Sequence, residues 1–137
     1  MTVATTYSSA ELGIDAPLVI VKAEVSSGLP KTLIVGLAET AVRERKDRAK
    51  AAITTSEFEY PSIRITLNLA PADLPNFIGR YDLAIAVTIL AASNQIPSEC
   101  IDSYGLPGVL SLTGALRTVR KILPIALRNK SQARRLI

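Results

Sequence analysis

The side chains able to do chemistry in this sequence are few and one-sided. There is no histidine, and the one cysteine is Cys100. Without imidazole the chain itself holds no Ser-His-Asp or Cys-His nucleophile, no His-ligated metal and no histidine base. Cys100 has no His to activate it and reads as a structural thiol; alone, it forms no internal disulfide, which fits a reducing compartment. P-loop nucleotide hydrolysis needs a Gly-Lys pair whose backbone and ammonium hold phosphates, and no Gly precedes a Lys anywhere here. No cluster of metal-ligating residues stands out either.

What remains is charge. The chain carries 16 basic and 12 acidic residues, a net +4. Residues 1–102 hold all 12 acids and 9 of the bases, whereas residues 103–137 hold Arg117, Arg120, Lys121, Arg128, Lys130, Arg134 and Arg135 and no acid. Such a segment suits phosphate or an acidic protein surface, although a solvated helix would look the same. Arg117, Arg120 and Lys121 bunch at a hairpin-to-helix junction and are the residues expected to touch nucleic acid. Contact would be sequence-independent and salt-sensitive, and the 4% aromatic content argues against base stacking as its main mode. A second basic run, Arg43, Arg45, Lys46, Arg48 and Lys50, is diluted by Glu44 and Asp47. It reads as a self-paired helix face, with Glu39–Arg43 and Glu44–Arg48 at i,i+4. Gly79 and Arg80, just ahead of a helix N-terminus, form the one turn that could take an anion, a geometry shared by many plain helix starts.

These residues need elements to place them. Residues 16–25 and 31–36 read as strands, separated by a turn at Ser26-Ser27-Gly28-Leu29-Pro30. Residues 38–53 switch to helical spacing, with Ala38, Ala41, Val42, Ala49, Ala52 and Ile53 on one side. Residues 63–69 alternate Ile63, Ile65, Leu67, Leu69 against Arg64, Thr66, Asn68, the pattern of a half-buried strand. After a proline-rich loop, residues 81–92 are apolar nearly all round, a helix buried between layers, with Asp82 favouring its positive end. Residues 109–119 read as a hairpin turning at Thr113-Gly114, residues 122–133 as a basic helix and residues 134–137 as the start of another strand. The order of elements implies an α+β two-layer sandwich in one domain, residues 1–137, with a mixed sheet and helices mainly on one face. Its longest apolar stretch, residues 83–92, falls well short of the ~20 residues of a membrane span. Residues 1–10 lack the basic start and apolar run of a signal peptide, so a cytoplasmic protein without membrane contact is expected.

Five ordered stretches carry a family resemblance. They are Gly13-Ile14-Asp15-Ala16-Pro17-Leu18-Val19 with Gly28-Leu29-Pro30; Ile34-Val35-Gly36-Leu37-Ala38-Glu39-Thr40-Ala41-Val42; residues 64–75, centred on Leu67-Asn68-Leu69-Ala70-Pro71-Ala72-Asp73-Leu74-Pro75; Gly79-Arg80-Tyr81-Asp82-Leu83-Ala84-Ile85-Ala86; and Leu116-Arg117-Thr118-Val119-Arg120-Lys121-Ile122-Leu123-Pro124. From about Leu12 onward the chain resembles the N-terminal, ChlI-type domain of ComM/YifB Mg-chelatase-like AAA+ proteins. It departs from their pattern at Asn76-Phe77-Ile78-Gly79, where the family has Lys-Glu-Gly-Gly, and at Val109, where it has Glu. Lys121 stands for a common glycine and Ala38 for a common proline.

The resemblance implies a ribosomal protein S5 domain 2-like fold, shared with the Lon proteolytic domain. It also implies an AAA+ ATPase module downstream, ATP and Mg in the full-length protein though no cofactor in this chain, and a homo-hexamer. The implied activity is that of a DNA helicase promoting branch migration in natural transformation, with DNA, the AAA+ module and neighbouring subunits as partners of this domain. Kinship with Lon raises a Ser-Lys dyad, in which a lysine activates serine. Yet Gly79 and Arg80 occupy the nucleophile's place at the start of the buried helix, and Leu123-Pro124-Ile125-Ala126 offers no lysine. Ser93 and Ser111 are badly placed to substitute. A non-catalytic domain aiding assembly or DNA engagement is therefore expected; the alternatives are an interaction domain without DNA contact and a degenerate peptidase.

Overall fold

The computed structural model describes residues 2–9, 18–36, 39–70, 81–97, 101, 104–106, 109–110, 116–117 and 135–136. In chain order the elements are β1 (Thr2–Ser9), β2 (Leu18–Ser26), β3 (Lys31–Val35), α1 (Glu39–Thr55), β4 (Arg64–Ala70), α2 (Asp82–Ala92), β5 (Tyr104–Gly105), β6 (Val109–Leu110), β7 (Leu116–Arg117) and β8 (Arg135–Leu136). A six-stranded mixed sheet runs β3-β4-β2-β1-β5-β8, and β6-β7 form a separate antiparallel pair.

Register explains why one face is dry. Val19, Val21, Ala23 and Val25 of β2 alternate inward, and their partners on β4 are Leu69, Leu67 and Ile65, all buried. On β3, Thr32 and Ile34 continue the same rows, and on β1 Ala4, Thr6 and Ser8 complete them. A period of two places every one of these side chains on one face. Helix α2 lies over β1 and β2 on that face, and α1 packs beside α2. Ile53, Ile65, Leu67, Ile85 and Ile89 are almost wholly removed from water. Each such side chain contributes roughly 1.5–3 kcal/mol.

On the opposite face Val3, Ile20, Lys22, Lys31, Val35, Arg64 and Asn68 are exposed. This is the two-layer α+β sandwich expected from the sequence. Strands β2, β3 and β4 and helices α1 and α2 fall within two residues of their expected bounds, and β6 and β7 pair antiparallel where the hairpin was expected, with Leu110 opposite Leu116, one position off the register of a two-residue turn at Thr113-Gly114. β1 and β5 were not anticipated. The basic helix expected over residues 122–133 lies outside the described residues.

Parallel strands cannot be joined by a tight turn, and here α1 makes the crossover between β3 and its parallel neighbour β4. At the end of β3 the backbone of Gly36 turns with φ +105 against β4; a Cβ there would stand 2.3 Å from the Leu69 carbonyl oxygen. Glycine alone fits so close an approach.

Candidate functional site

Three polar constellations interrupt the apolar layer. The deepest is at the start of α2. Asp82 is the first helical residue and wholly buried, and the Ile85 amide donates to the Tyr81 carbonyl to close the first turn. Arg48 reaches over from α1, its guanidinium 3.5 Å from one Asp82 carboxylate oxygen and 2.6 Å from Glu44. A buried carboxylate needs such a partner, and the unpaired amides at the helix start favour its charge as well. The expected Glu44–Arg48 pair is thus present, but Arg48 is not merely part of a solvated face. It ties α1 to α2. The side chain of Glu39, and with it the Glu39–Arg43 pair, lies outside the described residues.

The second constellation joins β1 to α2. The hydroxyls of Thr6 and Thr88 lie 2.5 Å apart, and Thr88 donates to the Ala84 carbonyl one turn back. With its proton committed to that carbonyl, the Thr88 oxygen accepts from Thr6, which also approaches Ala84 at 3.3 Å. Thr88 satisfies its hydroxyl within its own helix, as mid-helix threonines commonly do. The chain of donors and acceptors fixes β1 beneath α2.

The third lies where both helices end. Each finishes in the same way: the Phe58 amide donates to the Ile53 carbonyl and that of Glu57 to Thr54, while the Gln95 amide donates to Leu90 and that of Asn94 to Ala91. Glu57 (φ 66) and Asn94 (φ 61) take the left-handed position that this cap requires and glycine usually fills. Gln95 then fastens one cap to the other: its side-chain oxygen accepts from the Glu59 amide at 2.8 Å and its nitrogen donates to the Glu59 carbonyl at 2.6 Å.

Pinned in this way, residues 57–63 form one wall of an open groove of 690 Å³ against Lys31, Thr32, Lys46 and Lys50. Tyr60 shares a 2.6 Å hydrogen bond with Thr32, and the Lys50 ammonium lies 5.7 Å from its ring centre. Burial pushes the Tyr60 phenol above its ordinary value of 10.0, opposed in part by the Thr32 hydrogen bond. Asp47, Glu57 and Glu59 line the same groove, so its charge is mixed.

None of this is hydrolytic machinery of the Ser-Lys kind. Among the described residues no lysine is buried. The Ser93 hydroxyl donates to Ile89 and Leu90 of its own helix and accepts from Gln95. Among the described residues no group of three or more Asp, Glu or Cys side chains could hold a metal ion, and no helix is long and apolar enough to cross a membrane. Of the residues expected to bind nucleic acid, Arg117 closes β7 opposite Val109, while Arg120 and Lys121 lie outside the described residues, as do Gly79, Arg80 and Cys100. The Arg48–Asp82 link escaped sequence reading, although a lone carboxylate in an otherwise apolar helix was a signal that some distant cation must meet it.

A two-layer sandwich with an arginine–carboxylate pair at the start of its buried helix can now be set beside known proteins. The family model for subunit ChlI of Mg-chelatase matches residues 21–137, and the chain belongs to that family. The chain is 46% identical over its whole length to YifB of Escherichia coli (strain K12) and 44% identical to Competence protein ComM of Haemophilus influenzae. It is therefore a member of the ComM/YifB group. A relative from Mycobacterium tuberculosis, Rv2897c, is 39% identical over 95% of the chain. The chain spans about a quarter of the length of these relatives, 27% of YifB and of ComM.

Proposed function

We propose that the chain is the non-catalytic N-terminal domain of a ComM-type AAA+ DNA helicase, where it aids assembly of the ring or engages DNA ahead of the ATPase. The observation that carries this reading is the similarity, along the whole of this chain and over 27% of the relative, to a protein named for competence. It is supported by the one-sided charge of residues 103–137. The buried Arg48–Asp82 pair supports a structural rather than catalytic role for the start of α2. ATP, Mg and hexamer formation belong to the longer protein, in which an ATPase module of the Mg-chelatase type would follow this domain.

Contact with DNA would run through Arg117, Arg120 and Lys121 to the phosphate backbone, with little regard for sequence. Fluorescence anisotropy with labelled oligonucleotide tests it. Replacing all three residues by Ala should weaken binding by about tenfold or more at 50 mM salt and flatten its salt dependence. Unchanged binding would remove the trio from the interface. Peptide hydrolysis by the chain that disappears on replacing a single serine would restore the peptidase reading instead.

A further inference from the structure

Two cations stand side by side on the face of the sheet opposite α1 and α2. Lys31 of β3 and Arg64 of β4 are direct partners in the parallel ladder, so both side chains leave the sheet on the same side. Both are exposed, and among the described residues neither has a carboxylate within 4.0 Å. Like charges placed directly opposite each other cost stability in a sheet. Lys22 projects from the same face four residues before Ser26, the partner of Arg64 on β2, at roughly 13 Å along the strand. The face is open at this end: a Cβ at Gly28 would meet nothing nearer than the aliphatic stem of Arg64, 3.9 Å away. Among the described residues Glu24 is the one acid on this face; it lies opposite Thr66 and Val3 and bridges none of the cations. Ser26, Thr66 and Asn68 add hydroxyl and amide donors between the cations.

We infer that this face is a backbone-binding platform for single-stranded nucleic acid. Lys31 and Arg64 clasp one phosphate together, the guanidinium offering its paired N–H groups, and Lys22 meets the strand further along. A bound phosphate turns the repulsion between the two cations into shared attraction. The inference rests on the DNA-engaging reading above and adds a surface to it, remote in sequence from Arg117, Arg120 and Lys121.

The test is anisotropy of labelled oligo(dT) with the purified chain, from 50 to 200 mM salt, comparing wild type with the double variant Lys31→Gln, Arg64→Gln. The expected result is an affinity lower by about tenfold and a log–log salt slope shallower by about 0.7, for the one phosphate that the pair neutralises. The melting midpoint of the variant at low salt should equal or exceed that of wild type, because a repulsion is gone; a purely structural role would lower it. Lys22→Glu, a second and independent variant, should weaken binding as well. If both variants bind as wild type does while the Arg117, Arg120, Lys121→Ala variant does not, the platform is wrong and the DNA-engaging reading stands. If wild type fails to bind oligo(dT), both fall. Binding of polyglutamate alone, lost in the double variant, would make the face a dock for acidic protein and overturn the inference.

Discussion

Gly36 shows how much a single residue decides here. Its φ of +105 and the 2.3 Å that would separate a Cβ from the Leu69 carbonyl leave no room for adjustment, since the obstacle is backbone on the neighbouring strand. Gly36→Ala should cost about 3 kcal/mol or more, read as a lower urea midpoint at unchanged slope. Tyr60 is a second such residue. Burial raises its pKa above 10.0, so the folded chain holds the phenolic proton more tightly than the unfolded one. The stabilisation is complete below pH 10 and is lost as pH climbs through the higher folded value. Urea midpoints measured from pH 8 upward should fall beyond pH 10, and Tyr60→Phe should remove this group's share of the fall.

Among the elements, those with a strong period were legible and those built from hydroxyls were not. β2 and β4 alternate apolar and polar residues, and α2 is apolar all round, so burial of one face or of both is written in residue type. β1 buries Ala4, Thr6 and Ser8 while Val3 faces solvent, an inversion of the usual pattern. Its place in the middle of the sheet is supported by the Thr6–Thr88 hydrogen bond, a contact 82 residues apart that no local window contains. β5, two residues long, is too short to show a period, whereas β8 falls within the strand expected at residues 134–137. Arg48 and Asp82 are legible one by one, as a helix-face base and a helix-start acid, but not as a pair. The threonine contact makes a prediction at this scale. Thr6→Val and Thr88→Val should each cost about 1 kcal/mol, whereas the double variant should cost well under their sum, since replacing both partners leaves no orphaned hydroxyl. A strictly additive cycle would mean that the hydroxyls act independently.

At the scale of the whole molecule, the described helices pack on one face of the sheet, and side chains on the other face are exposed. The described cations divide accordingly. Arg48 holds the two helices together, Lys50 sits by Tyr60, and Lys22, Lys31 and Arg64 stand on that other face. The charge of residues 103–137 is visible in the sequence, but the row formed by Lys31 and Arg64 comes only from strand register, because 33 positions separate them. Amide chemical-shift mapping during titration with oligo(dT) tests most directly whether this domain is a nucleic-acid-engaging scaffold rather than an enzyme. Perturbations should gather at Lys22, Lys31 and Arg64 and across residues 116–121, fade as salt is raised, and leave the interior of α2 silent. Shifts confined to Asp82 and its neighbours, or none at several-fold excess of oligonucleotide, would contradict it.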